Sequence, residues 1–195
     1  IVLDAAHGAA YRVAPTVLRE LGATVHTIGA SPDGRNINAA CGAVHPQACA
    51  NEVLKVGAHL GIALDGDADR VIVIDERGRE VDGDVVMALC ATHMMRENKL
   101  RGGALVATVM SNVGLERCLK EVGVAVERVG VGDRYVVERM RERGLNLGAK
   151  SDRIRPGEAG NRDRHPGAQT GNIHAHAGGA IGAGLDVPAA HFHQG

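Results

Sequence analysis

Aromatic residues are scarce: the 195-residue chain has two Tyr, one Phe and no Trp. Its core must therefore be assembled from Val, Leu, Ile, Ala and Met, within an apolar share of 45%. Long apolar runs are missing as well. No stretch approaches the roughly 20 residues of a membrane span, and the N-terminus has no secretory-signal pattern. Neither charge dominates, with 22 basic and 23 acidic residues and a net charge of −1. Bulk charge thus gives no pull toward nucleic acid or an anionic membrane. The four cysteines (Cys41, Cys49, Cys90 and Cys118) form no CxxC pair. That speaks against a zinc site or a disulfide framework and for free thiols in a reducing cytosol. The length suits one large domain or two small ones. Ile1 already lies in a strand-like run, as expected of a piece of a longer chain.

What is present centres on six residues, Asp65-Gly66-Asp67-Ala68-Asp69-Arg70. Apolar runs lead in (Gly61 to Leu64) and out (Val71 to Ile74), so the hexapeptide reads as a tight loop between two buried strands. A lone Asp-x-Asp would be a solvated turn. Three aspartates alternating with small residues can converge on one point, and converging anions are costly without a cation among them. Hard oxygen ligands favour Mg²⁺ or Ca²⁺. Arg70 sets a fixed positive charge beside that ion, suited to holding a phosphate. An EF-hand would place its acids at Asp65, Asp67, Asp69 and Glu76. It needs glycine where Arg70 stands, and helices where these flanks are strand-like, so it is rejected.

Around this loop, strand and helix signals alternate. Ile1 to Leu3, Thr24 to Ile28, Gly61 to Leu64 and a strand pair about Arg77-Gly78 read as strands. Ala14 to Leu21, stopped by Gly22, and Pro46 to Val56 read as helices. A second unit opens at Asp82-Gly83-Asp84, with Asp84 as the expected N-cap of a helix over Val85 to Arg96. Strands follow at Gly103 to Val109 and Ala125 to Val129, and helices at Asn112 to Val122 and Tyr135 to Arg143. The charged stripe of the last helix reads as a solvated face. The fold class is therefore α/β, as two consecutive mixed-sheet units over 1–83 and 84–149.

The pattern fails after about Lys150. Residues 150–195 hold five of the ten histidines and only five Ile, Leu, Val or Met. Such a segment buries too little apolar area to offset its ordering entropy and is expected to be irregular. His174, His176, His191 and His193 lack partner cysteines or spaced acids, so adventitious metal binding is the better reading.

The aspartate loop resembles the metal loop of the α-D-phosphohexomutases. Other stretches resemble the bacterial phosphoglucosamine mutase branch of that family, in collinear order over about residues 1–149. They are Asp4-Ala5-Ala6-His7-Gly8-Ala9, Gly34-Arg35-Asn36-Ile37-Asn38 with Cys41-Gly42-Ala43, Val81-Asp82-Gly83-Asp84, Met110 to Leu115, and Val131 to Val136. The resemblance implies a cytoplasmic enzyme of four domains that interconverts glucosamine 6-phosphate and glucosamine 1-phosphate for cell-wall precursors. It implies Mg²⁺ held by Asp65, Asp67 and Asp69 against a phosphoserine, and phosphate held near the metal by Arg70. It also implies that Asp133, Arg134 and Tyr135 recognise the phosphorylated amino sugar. A helix N-terminus capped by Asp133 is the plainer reading of those three residues.

No segment resembles the family's Ser-His-Asn-Pro loop, so the chain itself offers no catalytic phosphoserine. Counterparts of domains I and IV are missing, and after Ala149 so is the family's Ser-Gly-His sugar loop. The chain alone is expected to be inactive. Plausible GC-rich codons for Asn161 to Pro166, read one base later, give Thr-Gly-Thr-Gly-Ile-Leu, which is close to the family's Thr-Gly-Asp-Gly stretch. This suggests an out-of-frame tail over 150–195. Rival readings are a phosphomannomutase or phosphoglucomutase of the same superfamily, a Mg²⁺-dependent phosphatase with Asp65 as nucleophile, and a non-catalytic metal-binding remnant.

Overall fold

The computed structural model describes residues 1–153 and 171–177. Its first unit is built on β1 (Val2–Asp4), β2 (His26–Ile28) and β3 (Leu60–Leu64). These three strands are parallel, with β1 between the other two. Helices α1 (Val13–Glu20) and α2 (Gln47–Val56) make the crossovers, as parallel neighbours require. Gly57 ends α2 in the left-handed conformation, with its amide donating to the Val53 carbonyl. β4 (Val71–Asp75) returns antiparallel to β3, and the two-residue β5 (Glu80–Val81) pairs with β4.

β3 and β4 alternate between buried and half-buried residues, the signature of a sheet with one well-filled face. That face is packed by Cys49, Ala50 and Val53 of α2 against Val2, Ala63, Ile72 and Ile74. Burial, and after it the charge of Asp4, pushes the Cys49 thiol up to about 12. All four cysteines are free, as the missing pairs implied.

The second unit places β6 (Ala104–Thr108) between β7 (Ala125–Val129) and β8 (Leu147–Arg153), all parallel. β6 is buried along its whole length. Leu105 and Ala107 face one core, made with Met87 and Ala91 of α3 (Gly83–Arg96) and Leu115 and Leu119 of α4 (Val113–Glu121). Ala104 and Val106 face another, made with Val136 and Met140 of α5 (Asp133–Arg143). Among the described residues, no helix is long and apolar enough to cross a membrane.

Several expectations need correction. Asp82, not Asp84, caps α3: the Asp82 Oδ1 accepts from the Asp84 amide at 2.8 Å. Asp84 lies buried in the first turn instead, and its Oδ2 accepts from the Asn112 amide at 2.8 Å. Gly132, not Asp133, occupies the N-cap position of α5, and no side chain caps that end. The charged face of α5 is only partly solvated, since Arg139 and Arg143 both reach back to Glu127 on β7, at 3.3 and 3.0 Å.

The segment after Lys150 is not irregular throughout. β8 continues to Arg153, and β9 (Gly171–Ala177) pairs antiparallel with it. β9 also touches β4 through the pair Val71 and Ile173, joining both units into one sheet. His174 and His176 therefore sit on a strand, while His191 and His193 lie outside the described residues.

Candidate metal centre

Leu64 pairs with Val71 across the β3–β4 hairpin, so the six residues Asp65 to Arg70 are its connection. The loop emerges at the carboxyl end of β3, beside the carboxyl ends of β1 and β2. Open α/β sheets bind their ligands at this edge.

Asp65 is only 6% exposed and closes the loop on itself. Its Oδ1 accepts from the Arg70 amide at 3.1 Å, and its carbonyl accepts from the Ala68 amide at 3.1 Å. Ala68 takes a left-handed φ of 61°, which a small side chain tolerates better than a branched one. This winding carries Asp67 and Asp69 round to Asp65. One carboxylate oxygen from each of the three lies within 4.8 Å of the others. Oxygens on opposite sides of a magnesium octahedron are about 4.2 Å apart, twice the usual bond of 2.0–2.1 Å. The three groups thus stand close to coordination reach, and their all-oxygen chemistry suits a hard divalent cation. The Arg70 Nε lies 3.6 Å from Asp65 and 3.7 Å from Asp69, offsetting part of the mutual repulsion while its side chain stays accessible to solvent.

Neighbouring turns hold the loop from below. The Ala43 amide donates to the Leu64 carbonyl, and the Ala9 amide to the Gly66 carbonyl, both at 2.8 Å. A β-carbon at Gly8 would run into the Gly66 carbonyl, and one on Gly66 would meet Ile37 and Asn38. Ile37, Asn38 and Gly8 are thus structural partners of the loop. Motif reasoning gave them no role, because they act through shape and backbone, not through ligand chemistry.

Asp133, Arg134 and Tyr135 belong to a different loop, after β7, in the first turn of α5. The Arg134 Nε is bound to Glu138 at 2.7 Å, and that pairing raises its pKa. Tyr135 is exposed, and its ring lies near Gly130 and Gly132. Asp133 sits in the first turn, where the helix dipole favours an acid.

Comparison with known proteins matches this architecture. Residues 1–78 fit the family model described as phosphoglucomutase/phosphomannomutase α/β/α domain II, and residues 82–150 fit that of domain III. The chain is 60% identical over 150 residues to the phosphoglucosamine mutase of Paracoccus denitrificans, covering 77% of this chain and 34% of that protein. It is 61% identical over 150 residues to that of Sorangium cellulosum, covering 77% and 31%. A solved phosphoglucomutase/phosphomannomutase family protein from Burkholderia thailandensis superposes with a TM-score of 0.70 at 26% identity, covering 76% of this chain and 33% of that one. The chain thus spans about a third of the length of the curated relatives it matches. Two collinear domain matches and the relatives at about 60% identity agree: the chain belongs to the phosphoglucomutase/phosphomannomutase family, of which it carries domains II and III.

Proposed function

We propose that the chain is the metal-holding middle of a phosphoglucosamine mutase. The whole enzyme would interconvert glucosamine 6-phosphate and glucosamine 1-phosphate through a bisphosphorylated sugar, in the cytoplasm, on the way to cell-wall precursors. The observation that carries this reading is the convergence of Asp65, Asp67 and Asp69 beside Arg70, in a chain 60% identical to phosphoglucosamine mutases. Residues 1–83 and 84–149 are taken as the two domains, and residues 150–195 as an out-of-frame tail.

In this reading Asp65, Asp67 and Asp69 hold Mg²⁺, which when bound neutralises charge on a phosphoryl group in transfer. Arg70 supplies a planar donor set for a phosphate oxygen next to the cluster. Asp65, buried and already bonded to the Arg70 amide, is a better fixed ligand than nucleophile, which disfavours the phosphatase reading. Arg134 must exchange Glu138 for the ligand if it is to read a sugar phosphate. The phosphoserine, and with it the chemical step, comes from outside these residues, so the chain alone turns nothing over.

A chimera tests the reading directly. Residues 1–149 replace the matching span of the Paracoccus protein, and the product is assayed with glucosamine, glucose and mannose 6-phosphates. Preference for the amino sugar, lost in the Asp67→Ala chimera, is the expected result. Preference for mannose or glucose 6-phosphate, or a phosphorylated Asp65, overturns it. For the tail, the nucleotide sequence decides: one inserted or deleted base near codon 150 must restore the family match.

A further inference from the structure

Asp4 ends β1 and is fully buried, with 0% exposure. A carboxyl group so placed is costly unless its oxygens find donors. Both do. Oδ1 accepts from the Ala6 amide at 3.0 Å, and Oδ2 accepts from the Gly42 amide at 2.7 Å, thirty-eight positions along the chain. The turn after β2 closes over the same group, since a β-carbon at Gly29 would strike Oδ1. One side chain therefore ties the turn after β1 to the turn before α2, with the turn after β2 packed closely against it.

These turns carry the aspartate loop. Ala9, after the first, bonds the Gly66 carbonyl, and Ala43, next to Gly42, bonds the Leu64 carbonyl. The Asn38 amide bonds the Ala6 carbonyl at 2.9 Å, which sets Ile37 and Asn38 against Gly66. Ala6 and His7 both hold left-handed φ values, 53° and 50°. Two successive non-glycine residues keep that conformation only when their surroundings enforce it. We infer that Asp4 is a positioning residue for the metal loop: it touches no ligand, and it aligns the two turns from which the Leu64 and Gly66 carbonyls are hung. The inference rests on the reading of Asp65, Asp67 and Asp69 as metal ligands.

The test uses the full 195-residue chain and Mn²⁺ titration by calorimetry, with amide hydrogen exchange on the metal-free protein. Asp4→Asn keeps the shape but turns a donor toward an N–H that needs an acceptor. Its Mn²⁺ affinity should fall by up to about 10-fold, less than the loss of a group bonded directly to a ligand, and the Ala9 and Ala43 amides should exchange faster. Val53→Ala, a cavity in the core that also holds Ala43, should leave the Mn²⁺ affinity unchanged. Unaltered affinity and exchange in Asp4→Asn overturn the inference. If the unmutated chain binds no Mn²⁺, the metal reading fails, and the exchange arm still decides the role of Asp4. If Asp4→Asn does not fold, a Mg²⁺ titration of the unmutated chain followed by amide shifts replaces it. Movement at Ala6 and Gly42 is then expected, and movement confined to 65–70 overturns the inference.

Discussion

The two units solve the same packing problem differently. In the second, β6 is sealed on both faces, by α3 and α4 on one side and α5 on the other. In the first, α2 covers one face well. α1 buries only Pro15 and leaves Val13 and Val17 at 64% and 45% exposure, with Leu21 just after it at 50%. The converging aspartates sit on the less sealed unit. The contrast teaches that core strength and candidate chemistry are separable here, since the stronger core lies away from the loop with the ligand set.

The sharpest way to break this contrast is to truncate side chains on opposite faces of matched strands. In the second unit, Leu105→Ala and Val106→Ala should both be costly, about 2–5 kcal/mol for the leucine, read from urea midpoints. In the first, Ile74→Ala should cost a similar amount, but Val73→Ala, on the other face, only about 1 kcal/mol. Equal losses at Val73 and Ile74 would show that both faces are sealed after all.

The arginines sharpen it next. Arg128 donates to the carbonyls of Thr108, Ser111 and Asn112, at 3.5, 3.0 and 3.4 Å, and pairs with Glu116. Arg128→Ala should lower stability by about 2 kcal/mol. Arg70→Ala, which breaks two long pairs, one to the buried Asp65 and one to the exposed Asp69, should cost about 1 kcal/mol while weakening phosphate binding in the chimera. A smaller effect is expected at the caps. Asp82→Ala and Asn112→Ala each remove an N-cap acceptor and should each lower the thermal midpoint by the equivalent of about 1 kcal/mol.

The smallest effect is one of pH. Burial pushes the Glu127 carboxyl up, but its hydrogen bonds to Arg143 and then Arg139 outweigh this and hold it below its ordinary range. A depressed folded pKa contributes stability that is fully present above the unfolded value, about 4.3. It is lost as pH falls through the lower folded value. Glu127→Gln should therefore flatten the acid limb of a stability profile below about pH 5 and leave its slope above pH 6 unchanged.

Much of this was legible in the residues. The alternating aspartates between apolar strands announced the hairpin, and the strand–helix rhythm announced both units, because period and punctuation are local properties. Helix starts were read one or two residues off where two acids competed: in Asp82-Gly83-Asp84 either could cap, and only the backbone of Asp82 has the extended ψ of 137° that a cap needs. The reach of Arg128 to carbonyls 16 to 20 residues away, and of Asp4 to Gly42, has no periodicity to betray it. β9 was missed because its alternation, Ile173-His174-Ala175-His176-Ala177, is short, rests on one large apolar residue and lies in glycine- and histidine-rich text, whereas its pairing with β8 is made by the backbone.

The near-contact of Gly8 with Gly66 carries a lesson for protein engineers. A designer wishing to transplant the hexapeptide onto a foreign hairpin would move its ligands but leave behind its socket, formed by Gly8, Ala9 and Ala43. The smallest portable unit is discontinuous in sequence, so a successful graft must carry at least three separate stretches of this chain together.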